Sequence, residues 1–96
     1  MQSPLKITSV DVSKLAPPEP MTVILKHLAK LAHYECLLVK HRRQPFPLYE
    51  KLNGAGFSYY CVEHTQNKVE LYIYHKTAQN SFDKTLINTY TDKGDN

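Results

Sequence analysis

The sequence predicts a two-layer α/β sandwich of order βαβαββ, with a mixed four-stranded sheet and both helices on one face. Three observations carry this reading. Short β-branched and apolar runs alternate with two stretches of helical periodicity in the first half of the chain. The last two apolar runs are separated by only four residues, Thr65-Gln66-Asn67-Lys68, as in a hairpin. At 96 residues the chain holds one modest core and no second domain.

The first strand is expected at residues 6–12, KITSVDV, where Ile7, Thr8, Val10 and Val12 are β-branched. Three prolines in the following KLAPPEP segment, residues 14–20, end any strand ladder. Proline fits the first helical turn, where its missing N–H has no partner to lose, and Glu19 suits the positive end of the helix dipole. A helix is therefore expected from Pro18 to His33. Met21, Ile24, Leu25, Leu28, Leu31 and Ala32 fall within one arc, opposite Lys26, His27 and Lys30.

ECLLVKH, residues 35–41, is long enough for a buried strand and too short for a helix. Pro47 opens a second, short helix in which Leu48, Leu52 and Ala55 share a face, with Asn53-Gly54 and Gly56 as its stop. FSYYCVEH (57–64) and VELYIYHK (69–76) form the hairpin, with Phe57 and Val62 expected in the core. Val69, Leu71 and Ile73 point to one face, Glu70, Tyr72 and Tyr74 to the other. The sandwich domain is thus assigned to residues 1–76. Residues 77–96 form a polar tail with one apolar cluster, Phe82, Leu86 and Ile87, that Ser81 could cap as a short helix or that could be disordered.

Composition narrows the function. Hydrophobic residues make up 42% and charged residues 22%, as in a soluble globule, and no apolar run reaches the ~18 residues of a membrane span. The start, Met1-Gln2-Ser3-Pro4-Leu5-Lys6, lacks a charged segment followed by an apolar one, so no secretory signal is expected and a cytoplasmic location is. Residues 1–76 carry ten Lys/Arg against six Asp/Glu, a mild excess that favours an anionic ligand or acidic partner. It is too small to require nucleic acid.

Cys36 and Cys61 have no C-x-x-C spacing and read as buried thiols. His27 and His33 are not spaced to share a helix face. His64 and His75 could face each other across the hairpin, but no cysteine or carboxylate cluster completes a site. No metal, cofactor or catalytic residue is assigned. Tyr59, Tyr60, Tyr72 and Tyr74 form an aromatic band that could stack bases, though tyrosines also suit a half-exposed sheet.

Connectivity points to a site. Right-handed crossovers between parallel strands place both helices on one face and leave the other open to solvent or a partner. The carboxyl ends of the first two strands share an edge where both helices begin. Segments 14–20 and 41–47 should therefore meet there. Ligands of open α/β sheets bind at such edges, and helix N-termini favour anions. The candidate binding residues are Pro17, Pro18, Glu19, His41, Arg42 and Arg43. Tyr49, beside a proline-rich turn, is expected to pack against the loop.

The segment DVSKLAPPEP, residues 11–20, resembles the entry motif of the TusA-like (SirA-like) sulfurtransferases, whose helix begins with Cys-Pro-x-Pro. It is more similar to a branch of that superfamily, a domain-of-unknown-function family with proline at the cysteine position. The residues that carry this are PPEPM (17–21), His41 followed by Pro45-Phe46-Pro47-Leu48-Tyr49, and the Gly56-Phe57 turn. The resemblance covers residues 7–76 and implies the spatial strand order 1-2-4-3, the last strand antiparallel to its neighbours. It also implies a possible hemerythrin-like partner, because some members of the branch are fused to or encoded near such domains. The family's persulfide-bearing cysteine is Pro17 here, and Pro18, Glu19 and Pro20 keep the loop without its nucleophile. The expected function is a non-enzymatic accessory or binding protein, monomer or weak dimer, engaging an anionic group or protein partner. The alternatives are a sulfur carrier using Cys61 or Cys36, and an RNA-binding module using the tyrosine face.

Overall fold

The computed structural model of the protein describes residues 5–81. Its elements follow the order β1 (Lys6–Asp11), α1 (Glu19–Leu28), β2 (Glu35–His41), α2 (Phe46–Ala55), β3 (Phe57–Thr65) and β4 (Lys68–His75), and then a 3-10 helix over Lys76–Ser81. The four strands form one mixed sheet in the order β1-β2-β4-β3. β1 runs parallel to β2, with Lys6 opposite Glu35 and Asp11 opposite Lys40. β4 is antiparallel to both neighbours, Leu38 lying opposite Tyr72 and Tyr60 opposite Tyr72. This is the two-layer α+β architecture expected from the sequence.

Both helices cover the same face. Ile24 and Leu28 of α1 and Leu48 and Leu52 of α2 pack with Leu37, Val39, Leu71, Ile73, Phe57 and Val12 in one cluster. α1 is shorter than its periodicity predicts and stops at Leu28. Beyond it, Lys30 and Leu31 bond back three residues, to His27 O and Leu28 O, and the Glu35 carboxylate accepts the Ala32 N–H at 2.7 Å. Consecutive turns keep Leu31 against the core while redirecting the chain into β2, which a periodicity count reads as more helix. Leu25 is 38% exposed, on the flank of an arc centred on Pro20, Ile24 and Leu28. Ala55 is exposed where a shared face with Leu48 and Leu52 was expected, at the final position of α2.

α2 ends in a left-handed Gly56, φ 88°, whose N–H returns to Asn53 O. Gly54 sits inside the helix and is not its stop. The hairpin turn is tighter than four residues: Thr65 pairs with Lys68, with an irregularity between Glu63 and Thr65. That irregularity absorbs the register change on β3. Phe82, Leu86 and Ile87 lie outside the described residues.

The face opposite the helices is not open. Leu38 and Tyr72 are fully buried there, with Cys36 at 1% and Tyr74 at 5% exposure, joined by Leu5, Ile7, Tyr60 and Val62. Neither α1 nor α2 lies on this side. The signal was present in β2, whose unbroken Cys-Leu-Leu-Val run has no polar face to give to water, as in strands buried on both sides.

Candidate functional site

The carboxyl edge assembles as connectivity requires. β1 ends at Asp11, whose carboxylate accepts both the backbone N–H and the hydroxyl of Ser13, at 2.9 and 2.6 Å. These bonds hold the Asp11 carboxyl below the usual carboxylate range and turn the chain off the strand. Val12 N–H still donates to Lys40 O at 2.9 Å, so the β1–α1 loop leaves from beside the end of β2. Across that gap the Arg42 guanidinium donates to Leu15 O at 3.3 Å. Segments 14–20 and 41–47 therefore meet, with Pro17, Pro18, Glu19, Arg42 and Arg43 all exposed.

His41 works inward as well as outward. Its Nδ1 accepts the backbone N–H groups of Arg42 and Arg43, at 2.9 and 3.4 Å, which places the ring proton on Nε2. Burial, followed by repulsion from the two guanidinium groups, holds its pKa below the ordinary histidine value. The neutral imidazole is an organiser of the loop.

Several backbone donors at the helix starts are already engaged within the chain. Neither Pro18 nor Pro45 supplies a side-chain cap, and both helices carry proline within their first two positions. Glu19 N–H bonds to Ala16 O, Phe46 N–H to Gln44 O, and Leu48 N–H to Pro45 O. The prolines remove further donors. The positive character of this edge therefore resides in Arg42 and Arg43, reinforced by two converging dipole ends.

Beneath the loop lies an aromatic support that composition alone did not reveal. Tyr49 stacks on Tyr59 with ring centroids 4.1 Å apart and planes within 4°. Its hydroxyl donates to Gln44 Oε1 at 3.0 Å, tying α2 to the loop. Phe46 meets Tyr49 edge-on at 5.7 Å and is 65% exposed. Tyr49 thus packs against the loop as expected. An exposed aromatic between two prolines has no periodicity to mark it, so Phe46 escaped the sequence reading.

The two thiols lie elsewhere. Cys36 is buried on the side of the sheet away from α1 and α2, where desolvation pushes its pKa up to about 12. Cys61 is half-buried on β3; burial raises its pKa, partly offset by the Tyr49 hydroxyl beside it. Neither is poised as a thiolate.

The four hairpin tyrosines do not share a surface. Tyr59 packs with the helix-side cluster; Tyr60, Tyr72 and Tyr74 belong to the other. The histidines also separate. His64 Nε2 lies 2.6 Å from Glu70 Oε1, whereas His75 stacks on His33 at 4.3 Å and bonds Leu31 O through Nε2 at 2.8 Å. Among the described residues no group of three or more His, Cys, Asp or Glu is placed to hold a metal ion.

At the opposite edge a cleft of about 180 Å³ is lined by Thr8, His27, Lys30, Leu31, Glu35 and Leu37. The carboxyl end of α1 points its negative dipole there, and Glu35 is engaged in capping Ala32. That end is less suited to an anion than the arginine edge.

Compared with known proteins, residues 9–75, which span both loops of the edge, match a family model described as an uncharacterised conserved protein (DUF2249). No curated protein and no solved structure matches the chain.

Proposed function

We propose a function for this chain, which belongs to the DUF2249 family of uncharacterised conserved proteins: it is a cytoplasmic, non-enzymatic binding module that engages an anionic group or protein partner at the carboxyl edge of its sheet. The observation that carries the reading is the Arg42–Leu15 tether together with the His41 caps. These bonds hold two loops in one arrangement and leave Arg42, Arg43 and Glu19 facing solvent. Little ordering entropy is then lost when an anion is bound. Glu19 offsets part of the charge, so the edge selects for geometry over bulk negative charge.

The scaffold resembles that of the TusA-like sulfurtransferases with Pro17 where their cysteine stands. Any place in sulfur metabolism would therefore have to come through binding rather than through a motif thiolate, since both thiols here have raised pKa values. A hemerythrin-like protein is a candidate partner on the same resemblance.

The test is backbone NMR during titration with phosphate, sulfate, acidic peptides and a hemerythrin-like protein. Shifts should concentrate at residues 17–19 and 41–43, and added salt should weaken them over a Debye length of ~8 Å at physiological ionic strength. Arg43→Glu, which spares the Leu15 tether, should stay folded and bind at least about tenfold more weakly, a loss of ~1.4 kcal/mol. Silence at both segments, with shifts confined to the hairpin, would refute the assignment.

A further inference from the structure

We infer that the partner of this edge is a protein segment that is both acidic and amphipathic, with its apolar stripe covering Phe46 and its carboxylates pairing with Arg42 and Arg43. The inference rests on the binding role proposed for the edge and adds the chemistry of what binds.

Among the described residues three large apolar side chains are well exposed: Leu25 at 38%, Tyr34 at 65% and Phe46 at 65%. Only Phe46 belongs to the carboxyl edge, and it is the one with a rigid support. It stands between Pro45 and Pro47, at the first position of α2, and its ring rests edge-on against Tyr49 at 5.7 Å. Tyr49 is itself fixed by the parallel stack on Tyr59 and the bond to Gln44. A projecting aromatic held by prolines and a ring stack loses little freedom on contact. Aromatic and arginine side chains together are the composition enriched at protein–protein interfaces.

The surrounding charge decides which protein surface fits. Arg42 and Arg43 precede the ring in sequence, with Lys40 near the end of β2 and Lys14 in the loop that follows β1. The Asp11 carboxylate opposing them is engaged by Ser13. A free phosphate or sulfate would use the guanidinium groups and leave Phe46 in water. A single aromatic offers only a small apolar anchor for a bilayer. An acidic amphipathic segment satisfies both features at once.

Fluorescence anisotropy with two synthetic probes tests this. One is a short glutamate-rich helical peptide with leucines along one face; the other replaces those leucines with alanine. The wild-type protein should bind the leucine peptide at least about tenfold more tightly. Phe46→Ala, folded by circular dichroism, should bring the two peptides to equal affinity. Arg42→Gln/Arg43→Gln should weaken both. Equal affinity of the wild type for the two peptides, or a leucine preference that survives Phe46→Ala, overturns the inference. So does Phe46-dependent binding of phosphatidylserine vesicles or an RNA oligomer in the absence of peptide binding. Failure of the binding role itself looks different: neither peptide nor inorganic phosphate shifts residues 17–19 or 41–43.

Discussion

His41 couples the chemistry of one side chain to the shape of the edge. Its Nδ1 can accept the Arg42 and Arg43 N–H groups only while neutral, and burial beside two guanidinium groups lowers its pKa from 6.5. A group whose folded pKa lies below its unfolded one contributes stability that is present above the unfolded value and is lost as pH falls through the folded one. The window here opens near pH 6.5 and extends downward. His41→Asn keeps an acceptor for the loop but cannot titrate. Urea midpoints measured from pH 7.5 to pH 5 should fall less steeply in this variant than in the wild type; identical slopes would mean that His41 does not sense pH. Asp11, whose folded pKa is also lowered, contributes stability that is lost in a more acidic window, as pH falls below 3.8.

At the scale of the element, α2 shows why two nearby glycines behave oppositely. Gly56 closes the helix at φ 88°, where an L side chain is strained even though nothing lies within 4 Å of an added Cβ. Gly54 lies within the helix, also with open space around it. Gly56→Ala should therefore lower stability by roughly 1–2 kcal/mol, the cost of a left-handed residue with a Cβ. Gly54→Ala should raise it by about 0.5–1 kcal/mol by restricting the unfolded chain. Thermal melts of the two variants on either side of the wild type check the pair, and a stabilised Gly56→Ala would show that the helix does not end in that conformation. Sequence alone places both glycines at the helix end. The distinction depends on where the ladder of i→i−4 bonds stops, which the return of the chain into β3 decides.

At the scale of the whole molecule, the described residues form two apolar layers, one on each side of the four-stranded sheet. Leu52 is fully buried among the helix-side residues, and Leu38 is fully buried on the other side. Replacing either by alanine should cost ~2–5 kcal/mol, the range for a buried leucine whose site cannot collapse. That is a large share of the ~5–15 kcal/mol that holds a domain together. Chemical denaturation of Leu38→Ala and Leu52→Ala makes the comparison. An exposed platform on the tyrosine side would instead leave Leu38→Ala within a few tenths of a kcal/mol of the wild type.

The sequence by itself determined what depends on neighbours along the chain. Proline clusters mark where strands cannot continue and helices can begin, and the apolar run at 35–41 bounds β2 to the residue. The handedness of crossovers then brings two distant loops to one edge. Tertiary structure alone decided what depends on residues far apart. The end of α1 at Leu28, the tether from Arg42 to Leu15, the capping of the loop by His41 and the exposure of Phe46 all follow from register and packing across the sheet. Periodicity reports which side of a helix or strand a residue occupies, but not what stands opposite. Burial on the tyrosine side was therefore misjudged from sequence, because it is settled by contacts that local preferences do not encode.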